Sequence, residues 1–192
     1  MKFQSGMKIE TAFDICIVKD TIKRWSNYKE ETLSLIKDIP FVPTEGYYSD
    51  FYIKGKKVYA DKLFEILLPT MRKFESEVKR PFTVTGLWAQ KYVKGGASHQ
   101  CHTHGPLGYS AVFYASLGKL DKGTKFICPF SDVNGKHSEY APDVKEGDIV
   151  FFPSFLMHQS TMSIDDTDRI VFSFNMRFND TIPMSLYNLT ST

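Results

Sequence analysis

The chain has 192 residues, a comfortable length for one domain with a real core, and 42% of them are hydrophobic, an ordinary share for a globular protein. A formal net charge of +2 provides no basic stripe of the kind a dedicated nucleic-acid binder carries. No apolar run reaches bilayer length, and Met1 to Glu10 is polar and lacks the apolar core of a signal peptide.

Three cysteines, Cys16, Cys101 and Cys128, cannot all pair, and their spacing suggests no disulfide framework. A cytoplasmic protein without a membrane partner is the expectation. Aromatic residues make up 15% of the chain, mostly Phe and Tyr, which favours strands because such side chains fit a pleated, half-buried surface.

In chain order, Phe13 to Val18 alternates and predicts an edge strand. Tyr28 to Ile39 reads as a helix ended by Pro40. Pro40 to Lys57, with Pro, Gly and Tyr, reads as loop with a short strand. Asp61 is the expected cap of a stronger helix, whose apolar positions Leu63, Leu67, Met71, Phe74 and Val78 recur at helical spacing before Pro81. Such a helix packs on the outside of a sheet.

From Phe82 the period changes to two. The expected strands are Phe82 to Val93, Tyr109 to Leu117, Thr124 to Cys128, Asp148 to Phe152, His158 to Met162 and Arg169 to Phe178, punctuated by Gly and Pro. Many short strands at close intervals suggest a sandwich, jelly roll or barrel. In the last strand Ile170, Phe172, Phe174, Met176 and Phe178 form one apolar face. Arg169, Val171, Ser173, Asn175 and Arg177 form the other, which suits either a cavity lining or an exposed edge. The chain reads as one domain over 1–192, with a mixed support region at 1–80, a strand-rich core at 81–180 and a tail at 181–192.

Four of the five histidines carry the chemistry; His137 falls in a polar stretch expected to be exposed loop. In the run His99-Gln100-Cys101-His102-Thr103-His104, residues two apart point to one side when extended, so His102 and His104 can reach one ion. His158, beyond a strand and a Pro153-Ser154 turn, is the natural third ligand. Three ligands leave open positions on an octahedral metal, as oxygen activation requires. A closed zinc site would take a fourth ligand, with Cys101 or His99 nearby, although Cys101 lies on the opposite face of an extended segment. A lone His-x-His matches by accident often, and exposed loop histidines are the bland alternative. Arg169 follows His158 by eleven residues; its planar guanidinium suits the distal carboxylate of a 2-oxo diacid. Arg177 shares that face but lies eight residues farther on, roughly 26 Å along a strand, too far to share the site.

Taken in order, Trp88-Ala89-Gln90-Lys91-Tyr92, Gly95-Gly96, His102-Thr103-His104, Ser110 to Tyr114, Gly147 to Ser154, His158, and Arg169 to Asn175 resemble the iron(II)- and 2-oxoglutarate-dependent oxygenases, in the group related to prolyl hydroxylases, which also occurs in large tailed phages. The resemblance implies a double-stranded β-helix, mainly β with flanking helices and cupin-like. It also implies iron(II) as cofactor and 2-oxoglutarate as co-substrate. His102 and His158 match the two metal histidines, and Arg169 matches the residue that binds the far carboxylate. Tyr114, Tyr92 and Ser173 fall in the co-substrate set, with core packing the alternative for both tyrosines. Position 104 departs from the family: His104 stands where most members have Asp or Glu, which leaves the site one unit more positive. Asp132 or Asp148 is a carboxylate that can come from elsewhere.

The implied function is an oxygenase that hydroxylates a protein side chain, such as proline, or a small molecule. Two other functions fit the residues. One is a cupin-like three-histidine metal enzyme without 2-oxoglutarate; the other is a non-catalytic jelly-roll binding or structural module.

Overall fold

The period-two segments become ten strands in the computed structural model, which describes residues 14–44, 46–95 and 98–179. They are β1 (Val18–Thr21), β2 (Val42–Pro43), β3 (Tyr48–Ser49), β4 (Phe82–Tyr92), β5 (Tyr109–Ser116), β6 (Lys125–Ser131), β7 (His137–Tyr140), β8 (Asp148–Pro153), β9 (His158–Gln159) and β10 (Arg169–Phe178). Seven form one sheet in the order β1-β8-β5-β10-β4-β3-β2, and three form a smaller sheet in the order β7-β6-β9. Every paired neighbour is antiparallel. This mainly-β arrangement with flanking helices is the expected jelly roll.

Helices cover the outer face of the larger sheet. A six-residue helix, α1, spans Lys29–Ser34, and the long helix, α2, spans Ala60–Val78. Leu63, Ile66, Leu67, Met71 and Phe74 of α2 are buried in one cluster with Phe113, Phe151, Phe172 and Phe174 of the sheet. Phe74 stacks on Phe151 with ring centroids 4.3 Å apart. The four Phe side chains at the heart of this contact are each worth about 1.5–3 kcal/mol of burial. Because β8 and β5 are central strands covered on both faces, their residues are almost all buried and they read as continuous apolar runs.

One buried carboxylate ties the segment around β3 to the sheet. Asp50 accepts hydrogen bonds from the Ala89 backbone N–H at 2.8 Å and the Tyr59 hydroxyl at 2.7 Å, with Lys57 Nζ 3.4 Å away. The accepted bonds and the ammonium together offset the cost of burying that charge.

Several boundaries differ from expectation. The edge strand starts at Val18 and runs to Thr21, paired to β8, where its hydrogen-bonding partners lie. Residue 13 lies outside the described residues, as do Met1 to Glu10, Gly96 and the tail at 181–192. The helix expected over Tyr28 to Ile39 shrinks to a 3-10 turn at Trp25–Asn27 plus α1. Pro40 to Lys57 holds two short strands, β2 and β3, where one was expected.

Asp61 is not the cap of α2. Tyr59 occupies that position without a side-chain hydrogen bond, and Asp61 sits in the first turn, paired to Lys56. The helix accommodates Pro69 on its exposed side, where the carbonyl that loses its N–H partner can reach water. The strand expected from His158 to Met162 is only two residues long, and β7 was not anticipated, so His137 lies on an exposed strand.

Candidate active site

The inward face of the larger sheet is set by register. Because β10 lies between β4 and β5, each of its inward residues meets a residue on one or both neighbours. Arg169 is opposite Tyr92, Val171 opposite Gln90 and Tyr114, Ser173 opposite Trp88 and Val112, and Asn175 opposite Gly86 and Ser110. The face that alternation left open as cavity lining or edge is therefore cavity lining. His99, His102, His104, Thr124, His158 and Ser160 close the cavity from the other side.

His102, His104 and His158 converge, with one ring nitrogen from each lying within 4.8 Å of the others. Backbone pairing produces that geometry. His102 and His158 exchange backbone hydrogen bonds of 2.9 and 3.0 Å, and His104 N–H donates to the Ser154 carbonyl at 2.9 Å. The segment before β5 is thus zipped to the turn between β8 and β9, and the side chains two residues apart face His158 as expected.

Second partners orient two of the rings. His102 Nδ1 lies 2.7 Å from the Gln100 carbonyl and His158 Nδ1 lies 2.8 Å from the Leu156 carbonyl. A carbonyl can only accept, so each Nδ1 carries the proton and each Nε2 presents a lone pair. His104 instead packs its ring against Trp88, with centroids 5.5 Å apart. Burial, then the neighbouring imidazoles, pulls His104 down to about 3. Burial likewise brings His158 down to about 4. Both are therefore neutral near pH 7, the form a metal needs.

The fourth histidine of the run does not join them. His99 stacks on His102 at 3.9 Å between centroids, while its Nε2 meets the Tyr47 hydroxyl at 3.2 Å and its Nδ1 meets Gln90 Nε2 at 3.4 Å. Both its nitrogens are engaged. Cys101 is exposed and outside the cluster, so neither residue closes the site. Nor does a carboxylate substitute. Asp148 is buried and accepts from Thr21 Oγ1 at 2.5 Å and from the Lys145 N–H at 3.0 Å, whereas Asp132 accepts backbone bonds in the exposed β6–β7 turn. Among the described residues the convergent set is three imidazoles.

Arg169 lies at the inner end of the cavity, 2% exposed. Its guanidinium donates to the Lys122 carbonyl at 3.2 Å, to Thr161 Oγ1 at 3.2 Å and to the Thr161 carbonyl at 2.6 Å. Its carbon sits 4.2 Å from the centre of the Tyr92 ring, a cation–π contact. All of these partners are neutral. Tyr114 donates its hydroxyl proton to Thr124 Oγ1 at 3.0 Å and accepts from the Thr124 N–H at 2.8 Å. Burial raises both tyrosines above the usual phenol range, so they remain neutral donors. Ser173 donates to Gln90 Oε1 at 3.0 Å.

The structure therefore brings together all seven expected site residues. Sequence reasoning did not single out Gln90, Thr124 or Ser160. Gln90 and Thr124 sit in register with expected residues, and Ser160 follows β9, but such polar residues are too common to be recognised without the pairing.

Comparison with known proteins gives a consistent result. Residues 86–175 match the family described as "Putative 2OG-Fe(II) oxygenase". No curated protein matches the chain. Among solved structures, an oxidoreductase of the 2OG-Fe(II) oxygenase family from Burkholderia pseudomallei is similar at a TM-score of 0.64 and 12% identity, covering 84% of each chain. A prolyl-4-hydroxylase from Pseudomonas putida is similar at 0.58 and 12% identity, over 86% of this chain and 94% of that one. HygX from Streptomyces hygroscopicus, solved with nickel and 2-oxoglutarate bound, is similar at 0.62 and 14% identity, over 85% and 83%. At such identities the structures establish the shared fold. The family match, laid over the strands that carry the three histidines and Arg169, makes the chain a member of the 2OG-Fe(II) oxygenase family.

Proposed function

We propose that His102, His104 and His158 hold the iron(II) of this 2-oxoglutarate-dependent oxygenase and that Arg169, with Tyr92, Tyr114 and Ser173, holds the co-substrate. The observation that carries this reading is the pairing of a neutral three-imidazole cluster with a buried cation in the same cavity. The donor set fits the metal. Ligands about 2.1 Å from one ion lie no more than about 4.2 Å apart, so small ring rotations bring nitrogens now within 4.8 Å onto it. The cavity also fits an anion, because a guanidinium bonded only to neutral groups keeps its charge unmatched at close range. The free space is narrow, about 40 Å³, so an entering five-carbon diacid has to displace lining side chains.

When bound, iron(II) with 2-oxoglutarate and dioxygen supplies the oxidising power to put a hydroxyl on a substrate carbon, with succinate and carbon dioxide released. The chain supplies position and shielding. Arg169 grips the far carboxylate and Tyr92 supports the guanidinium from below. Thr124 fixes the Tyr114 hydroxyl so that it points to the same end. Phe126 and Phe152 pack about His158 and keep water from its imidazole.

The substrate is a protein side chain or a small molecule. No helix among the described residues is long and apolar enough to cross a membrane, and all three cysteines are free. Free thiols support action in a cytoplasm, that of the host if a phage encodes the chain. The chain acts as one unit, with residues 1–80 supporting the jelly roll.

The test is an anaerobic titration. Protein with iron(II) and 2-oxoglutarate should develop a charge-transfer absorption band, and calorimetry should register binding. Absence of 2-oxoglutarate binding by metal-loaded protein overturns the reading. The three-histidine set itself favours a second reading, a cupin-like enzyme without 2-oxoglutarate, in which Arg169→Gln leaves turnover unchanged.

A further inference from the structure

Beyond the cavity that holds Arg169, His104 borders a second cleft of about 210 Å³ on its other side. The same strand supplies both. Along β10, Arg169 and Ser173 face the first cavity, while Asn175 and Arg177 line the second. The distance that separates Arg177 from Arg169 thus takes Arg177 to a different compartment, with a histidine of the cluster between them.

Three features build this cleft. First, Gly86 stands opposite Asn175, and a Cβ there would meet only Trp88 at 3.7 Å and the Asn175 amide nitrogen at 4.0 Å, so the missing side chain leaves room. The register of β4 against β10 slips by one residue beside it, a bulge that re-aims Thr85 toward the cleft.

Second, Asn175 Oδ1 accepts a hydrogen bond from Ser110 Oγ at 2.9 Å, and Ser110 in turn meets Ser154 Oγ at 2.9 Å. That chain fixes the amide with its NH₂ toward the open Gly86 side, where it can only donate.

Third, the rim is rigid. Gly108 has φ +86°, and a Cβ there would lie 2.0 Å from the Met176 carbonyl oxygen, so only glycine lets this loop close on β10. Its own carbonyl accepts from Ser154 N–H at 3.0 Å.

The lining carries one formal charge, the exposed Arg177, and no carboxylate. Leu107, 74% exposed, adds an apolar lip. A cleft with a guanidinium and a fixed amide donor, beside a ring of the histidine cluster, selects a hydrogen-bond acceptor with negative charge.

We propose that this cleft is the subsite for the molecule being oxidised and that it takes a substrate bearing a carboxylate, held by Arg177 and the Asn175 amide. The proposal rests on the oxygenase reading, which assigns His104 to the metal. The carboxylate fixes one end of the substrate and the apolar lip covers it, leaving a neighbouring carbon directed at the histidine cluster.

The test uses the full chain with nickel(II), with and without 2-oxoglutarate. Trp88 packs on His104 and serves as a fluorescent reporter of the cleft. A panel of N-acetyl-L-amino acids is titrated beside the matching primary amides, and acetyl-Gly-Gly-Xaa peptides form a second arm. At least one acid should change Trp88 emission saturably and bind about tenfold or more tightly than its amide, the usual worth of a charge-assisted contact. Arg177→Gln should weaken that acid about tenfold or more while leaving 2-oxoglutarate affinity within about twofold, and Arg177→Lys should recover part of the loss. Tighter binding of the peptides assigns the carboxylate to a chain terminus; tighter binding of the single residues assigns it to a free acid.

Equal binding of acid and amide, indifference to Arg177→Gln, or no binding by any panel member overturns the subsite. Wild-type protein that binds an acid but no 2-oxoglutarate overturns the oxygenase reading, and the subsite proposal with it.

Discussion

On the outer face of β10, Phe172 and Phe174 are fully buried against α2 and its neighbours; on the inner face, Arg169 and Ser173 are buried almost as deeply but among polar groups. The same strand serves a dry core on one side and a functional cavity on the other. Apolar contacts are non-directional, so the outer face tolerates shape-conserving exchange. Hydrogen-bonded groups are directional and costly to orphan, so the inner face tolerates little. Stability should therefore follow the outer face and ligand binding the inner one.

The strongest challenge to that division is His158→Ala. Removing the one ligand held by both a backbone bridge to His102 and a fixed Nδ1 should weaken metal affinity by more than about a hundredfold, since loss of a mere outer partner costs 10–100-fold. Metal content by elemental analysis after dialysis measures this, and full occupancy would remove His158 from the ligand set. Phe172→Ala on the other face should destabilise by about 3–5 kcal/mol in urea unfolding while leaving metal stoichiometry intact at low temperature. Loss of metal without loss of stability would reverse the assignment of the two faces.

Arg169→Gln comes next. It should weaken 2-oxoglutarate binding about thirtyfold or more by calorimetry, because the carboxylate loses its only close cationic partner in the cavity. An unchanged affinity would favour the cupin-like alternative.

Tyr114→Phe tests the border between the two behaviours. It leaves the buried Thr124 N–H without its acceptor, for a cost of about 1–3 kcal/mol in unfolding, and should weaken 2-oxoglutarate as well. A stability cost alone would assign Tyr114 to packing. Ser173→Ala should be the mildest, about 0.5–1.5 kcal/mol from the lost bond to Gln90, read by the same unfolding measurement. A larger effect on 2-oxoglutarate than on stability would place Ser173 in direct contact with the co-substrate.

Periodicity was most reliable where one element meets one environment. The ten residues of β10 were legible in full because their alternation answers to a core on one side and a cavity on the other. The helical stripe Leu63, Leu67, Met71, Phe74 was legible for the same reason. Short strands were not. β7 is exposed at every position and carries no period, and β9 is two residues long because it exists only through its partners β6 and His102. The cap of α2 was misread because Asp61, although a good capping residue by type, is drawn to Lys56 instead.

By itself the sequence determined the chemistry on offer: a His-x-His pair, a later histidine, an arginine beyond it, and a strand that is apolar on one face only. These depend on residue type and local period, which tertiary contacts do not alter. Only the tertiary structure decided which groups meet. Backbone bonds joining residues 102 and 104 to residues 158 and 154 turn three separated imidazoles into one cluster. The packing of Gly108 on β10 and the gap at Gly86 divide one polar strand face into two compartments. Those outcomes rest on long-range register and on the space left by missing side chains, which no local pattern encodes.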